Sequence, residues 1–289
     1  MSFRLSSHGA GALALALSAV MPVAVHAAPA APAAPAYAPG DWKPVDPQNL
    51  MVIDTGKGRI VVELVPALSP EHVERIKTLA RQGYYDGLKF FRVIDEFMAQ
   101  TGDKANTGAG ESGLPTLKGA FTFRRGPETA YSGLAYGSGG SVGFIGPMAI
   151  SSQPDELMAL TADGKVKAYG LFCAGVAGMA RTNDPDSASA QFFLMRQTFP
   201  TLNSQYTPFG RVVAGLDVVR KLQIGEPPAN PDVMLKVRMA SDMPAAERPN
   251  VWRVDPTSAA FRAHLAASLA AKGPQFSPCD VDLPSEIRK

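Results

Sequence analysis

Phe90-Phe91-Arg92-Val93-Ile94-Asp95-Glu96-Phe97-Met98-Ala99-Gln100-Thr101-Gly102-Asp103 holds two short runs of aromatic and branched residues, 90–94 and 97–100. Such residues suit the pleated, half-buried surface of a strand. Set among them are an arginine, an amide and a Phe-Met pair, a mixture better suited to a site than to a uniform core. A guanidinium in a strand must be paired or solvated, because burying it without partners is expensive. Alone, Arg92 reads as a surface residue whose stem covers apolar neighbours. Its company argues for more.

Upstream, Met51-Val52-Ile53 and Ile60-Val61-Val62-Glu63-Leu64 flank Thr55-Gly56-Lys57-Gly58, the pattern of a hairpin. Ser69-Pro70-Glu71 then opens an amphipathic helix through Val73, Ile76, Leu79 and Ala80, ending near Gly83, whose apolar face plugs a core. Downstream, 102–146 is rich in Gly, Ser and Thr and reads as long loops with occasional strands such as Phe121-Thr122-Phe123. Within it Gly137 to Gly146 lacks the Gly-Lys-Ser/Thr ending of a phosphate loop and is expected to be a mobile loop. Strand signals return at 175–180, 191–195, 209–213 and 233–239. Leu216, Val219 and Leu222 suggest a short second helix, and Asp255-Pro256 ahead of Phe261, Leu265 and Leu269, stopped by Gly273-Pro274, a third. Many short strands with few helices point to an all-β barrel.

Of the 289 residues 19% are charged and 46% apolar, a globular balance, and the formal charge of +2 provides no basic field for nucleic acid. Residues 1–27 read as a signal peptide: Arg4 is followed by an apolar run containing Leu13, Leu15, Leu17, Val20 and Val23, with cleavage after Ala27. That run is too short to span a bilayer, so no membrane insertion is expected after cleavage. Residues 28–47 alternate Ala and Pro, as in an extended tether. The main domain is expected at 48–240, with a C-terminal extension at 241–289. The expected location is therefore periplasmic or secreted. An oxidising compartment would allow a Cys173–Cys279 disulfide, against the alternative of two unlinked thiols. His72 and His264 are isolated and read as helix-surface residues rather than metal ligands.

The quoted run resembles the signature of the cyclophilins. A second block, Ala180 followed by Ser189-Ala190-Gln191-Phe192-Phe193, and a third, Leu202-Asn203-Ser204-Gln205-Tyr206-Thr207-Pro208-Phe209-Gly210-Arg211-Val212, follow in family order. The likeness covers roughly residues 50 to 240. It implies a closed eight-stranded antiparallel β-barrel capped by two helices, here with long insert loops and a helical extension. It implies also a peptidyl-prolyl cis–trans isomerase that acts on proline-containing polypeptides without cofactor or metal; the sequence leaves the oligomeric state open, with a monomer favoured. By match Arg92 is the catalytic arginine and Gln100 its polar companion. Phe97, Met98, Phe193 and Leu202 correspond to the pocket for the proline ring, and Ala180, Arg181 and Gln191 to the groove for preceding residues. Tyr206 stands where the family's pocket histidine falls, and Thr201 where many eukaryotic members carry a tryptophan, which implies weak cyclosporin binding. Asn183, Asp184 and Asp186 leave a calcium site open as a reading, although the absent EF-hand spacing favours a solvated acidic turn. A non-catalytic proline-peptide-binding or chaperone module on the same scaffold is the alternative function.

Overall fold

The computed structural model describes residues 35–110, 112–137 and 139–289. The expected signal segment and the first part of the tether lie outside the described residues. Eight antiparallel strands form the main sheet, in the spatial order Met234–Met239, Leu50–Thr55, Gly58–Leu64, Pro208–Ala214, Val176–Met179, Phe192–Met195, Met98–Thr101 and Arg92–Val93. Alternate side chains of a strand face opposite sides, and the sequence exploits this along most of the ladder. Met51, Ile53, Ile60, Val62, Phe192, Leu194, Val237 and Met239 all enter one core. Their neighbours Leu50, Val52 and Val61 enter another, and Phe193 and Met195 a third.

The two expected helices cover the first core: α1 (Pro70–Arg81) through Val73, Ile76 and Leu79, and α2 (Leu216–Lys221) through Val218 and Val219. Ser69 does not cap α1; its hydroxyl donates instead to Pro208 O at 2.8 Å and fastens the helix start to the sheet. His72, expected on the surface, is 1% exposed because this first turn is pressed into the fold; His264 is likewise buried.

Strand number and antiparallel pairing agree with the expected barrel, but the ladder is an open, curled run. Its terminal strand Arg92–Val93 spans two residues, too short to carry a further ladder, so isolated bridges Lys89 to Val233 and Val93 to Gly225 link the two ends.

The glycine-rich region departs from the loops expected there. Phe123–Arg125, Val166–Gly170, Met148–Ser152, Gly140–Ile145 and Tyr131–Tyr136 pair in that order into a second antiparallel sheet. The segment expected to be a mobile loop thus contributes the strand Gly140–Ile145. Trp42–Pro44, expected in the extended tether, is a strand too, paired with Asn250–Val254, which pairs with Ser285–Arg288. The tail helix α3 (Ala259–Lys272) starts where the side chain of Ser258 accepts from Phe261 N–H. Phe261 and Leu265 pack with Val142, Phe144, Met148 and Phe172, so insert, tail and outer face of the main sheet share one core. A Cys173–Cys279 disulfide, with Cα atoms 5.1 Å apart, crosses this junction. Buried Glu63 receives Arg253 Nε at 2.9 Å across the same boundary.

Candidate active site

Register builds the site. Arg92 lies opposite Gln100, Gln100 opposite Phe193, and Phe193 opposite Gly178, a row across four strands on the face away from the first core. Gly178 is part of the design: a Cβ there would come within 2.7 Å of the Phe193 ring and 2.8 Å of the Phe172 ring. Those two rings stack at 5.9 Å, and Phe172 supports Phe193 from behind.

In front of this row is a cavity of about 200 Å³. Phe97, Met98, Ala180, Phe193, Leu202 and Tyr206 form its apolar wall, and Arg92, Gln100 and Arg181 its polar rim. The structure therefore brings together every site residue expected from sequence except Gln191. Gln191 lines an adjoining cavity of about 130 Å³ that shares Gln100, Ala180 and Arg181 with the first. Tyr206 meets Phe193 edge-on at 5.8 Å, and the Arg181 guanidinium lies 4.5 Å from the Tyr206 ring centre, a cation–π contact that fixes both walls. Arg181 is anchored further by donating to the carbonyls of Gln205 and Thr182.

The polar rim is a chain of oriented groups. Arg92 Nη1 donates to Gln100 Oε1 at 3.4 Å, and Gln100 Nε2 donates to Gln191 Oε1 at 3.0 Å. Gln191 Nε2 in turn donates to the carbonyls of Gly108 and Gly110, at 3.0 and 2.9 Å. Those carbonyls belong to a loop wound around buried Asp103, whose carboxylate accepts from the N–H groups of Ala105, Thr107 and Gly108. Burial alone would raise the Asp103 pKa, but these backbone donors outweigh it and hold the group below the usual carboxylate value. On its other side Arg92 Nε donates to Glu226 Oε2 at 2.7 Å.

Sequence reasoning missed Glu226, Phe199 and Gly178. Phe199 lies 4.5 Å from Phe97, ring centre to ring centre, and buttresses that wall; it precedes the short helix Pro200–Leu202 that carries Thr201. A proline just inside a helical turn with an aromatic before it was the available signal. In the acidic turn, Asp184 Oδ1 accepts from Asp186 N–H and Asp186 Oδ1 from Gly119 N–H, so both carboxylates are engaged in loop structure. Among the described residues no group of three or more His, Cys, Asp and Glu side chains comes together as a metal site would need.

Comparison with known proteins agrees with this geometry. Residues 50–241 match the family model described as cyclophilin type peptidyl-prolyl cis-trans isomerase/CLD. A probable peptidyl-prolyl cis-trans isomerase of Brucella suis biovar 1 is 35% identical over 202 residues, covering 68% of this chain and 85% of its own. Peptidyl-prolyl cis-trans isomerase-like 1 of Bos taurus is 32% identical over 191 residues, covering 66% and 87%. Among solved structures, a cyclophilin of Hirschia baltica superposes with a TM-score of 0.77 at 38% identity, covering 85% of this chain and 93% of that one.

Proposed function

The chain belongs to the cyclophilin-type peptidyl-prolyl cis–trans isomerase family, and from that premise we propose that Arg92 is the group that lowers the barrier to rotation about X-Pro bonds. The protein is a peptidyl-prolyl cis–trans isomerase. The observation that carries the role of Arg92 is its position at the rim of an apolar cavity that suits a pyrrolidine ring, with Gln100 beside it.

Rotation about a peptide bond costs about 18–20 kcal/mol because the nitrogen lone pair is delocalised into the carbonyl, and the barrier at proline has the same origin. As the bond twists, the nitrogen becomes pyramidal and its lone pair becomes available. An N–H of the guanidinium then donates to it, an interaction stronger in the twisted state than in either planar isomer, and only such interactions speed the reaction. The apolar wall holds the ring while the preceding carbonyl swings, and Gln100 offers its amide to the moving oxygen. The adjoining cavity at Gln191 takes the residues before proline. No bond breaks, and the residues present account for the reaction.

Exported polypeptides are the clients in this reading, and the protein acts in the periplasm or outside the cell. The N-terminal sequence and the Cys173–Cys279 bond support it, since disulfides persist in oxidising compartments. Closure of the main sheet into a barrel belongs to the same reading, supported by the bridges at Lys89 and Val93.

The test is a coupled isomerisation assay on an X-Pro peptide. Arg92→Ala should lower kcat/KM on the order of 10²-fold, as expected for loss of a transition-state donor. Equal rates for the two proteins would remove Arg92 from the mechanism.

A further inference from the structure

Resting on the reading of Arg92 as the catalytic donor, we propose that Glu226 is a positioning residue: its carboxylate fixes the guanidinium through Nε so that the terminal nitrogens are presented to the prolyl amide. Arginine carries five N–H donors in a planar fork. The Nε–H is spent on Glu226 Oε2 at 2.7 Å and one Nη1–H on Gln100 Oε1 at 3.4 Å. A planar group gripped at two of its three nitrogens is fixed in plane and tilt, and its remaining donors stay available.

Glu226 is itself registered on Arg92 by the backbone. Val93 N–H donates to Gly225 O at 2.8 Å and Gly225 N–H to Val93 O at 2.9 Å, so the residue before Glu226 is locked opposite the residue after Arg92. Gly225 has φ +154°, and a Cβ there would lie 2.4 Å from Pro228 Cα, so the approach needs glycine. Two hydrogen bonds between distant segments therefore deliver one carboxylate to one guanidinium.

The placement suits orientation rather than substrate contact in the proline cavity. Arg92 lines that cavity and also a wider one of about 420 Å³ on its other side, and of these two Glu226 lines only the wider. The carboxylate thus holds the guanidinium without occupying the space where the ring sits. With side-chain exposures of 38% and 52%, the pair is open to solvent, where ion pairs add little to stability. A flexible arginine left unheld would have to be ordered during each turnover, so the effect belongs in kcat.

Turnover and thermal unfolding of the full chain test this. Glu226→Ala should lower kcat about tenfold with KM changed less than about twofold and the unfolding midpoint unmoved. Glu226→Gln, whose amide oxygen still accepts from Nε, should recover most of that loss. In an Arg92→Lys background, which has no Nε–H to hold, adding Glu226→Ala should cause no further loss, since residues acting through one another are not additive. A Glu226→Ala kcat within twofold of wild type, or losses that multiply in the double variant, would overturn the role of Glu226. Arg92→Ala at the wild-type rate would instead overturn the reading of Arg92 itself.

Discussion

At Gly102 the backbone has φ +91°, and a Cβ would lie 2.6 Å from Ala190 O and 2.9 Å from Gln191 Cα. The strand bearing Met98 and Gln100 can lie this close to Gln191 only with glycine. Gly102→Ala should cost about 1–3 kcal/mol in backbone strain and, by pushing Gln191 from Gln100, lower kcat/KM. Denaturant unfolding and the isomerisation assay would measure the two effects; a variant unchanged in either would contradict this account. Arg92, Phe97, Met98 and Gln100 were legible through the resemblance of one contiguous block to the family signature, a block that folds as a single hairpin. Phe193, Leu202 and Tyr206 were legible through their own motif blocks. Glu226 was not: it reaches Arg92 across 134 residues, and an acid between Gly225 and Pro227 has no local pattern that announces a partner.

Among the elements, α1 was read correctly from its spacing, but the environment of its first turn was not. His72 has both ring nitrogens buried without hydrogen-bond partners. Burial, aided by the nearby Arg75 charge, lowers its pKa from 6.5 to about 4. The folded state therefore refuses a proton that the unfolded chain accepts. Above pH 6.5 neither state is protonated and nothing is lost; as pH falls from 6.5 to about 4, stability drops, by ~3 kcal/mol at full effect. His72→Leu should remove this component, so denaturant titrations at pH 7 and pH 4.5 should show a smaller loss in the variant than in wild type. Equal losses would place the acid sensitivity elsewhere. The insert shows a different reason for illegibility. Gly133 sits directly opposite Gly143, where a Cβ on Gly143 would meet Ser132 O at 1.9 Å, so these strands pack backbone against backbone. Glycines that permit such an approach look, in sequence, like the glycines of a loop.

For the whole molecule, packing continues across residue 240, where the main domain is expected to end. The pocket residues Met98, Phe193 and Leu202 share a core with Val254, Phe261, Leu265, Phe276 and Val281 of the tail. The Cys173–Cys279 bond closes a loop over a separation of 106 residues, and Cys173 directly follows Phe172, the ring behind Phe193. In the chain-entropy account, a cross-link over so long a loop mainly restricts the unfolded chain. Cys279→Ser should therefore destabilise the protein by about 2–5 kcal/mol, with most of the effect lost when wild type and variant are compared after reduction. The folded variant should retain its activity, because Phe172 keeps its stack on Phe193 within the core that the tail shares. Removing 241–289 altogether should do far more: it withdraws Phe261, Phe276 and Arg253 together, taking from Glu63 its ion-pair partner and opening the outer face of the main sheet to water. The truncated chain should then unfold or associate, as light scattering and circular dichroism would show. A monomeric, fully active product with the wild-type melting temperature would mean that the pocket does not depend on the tail.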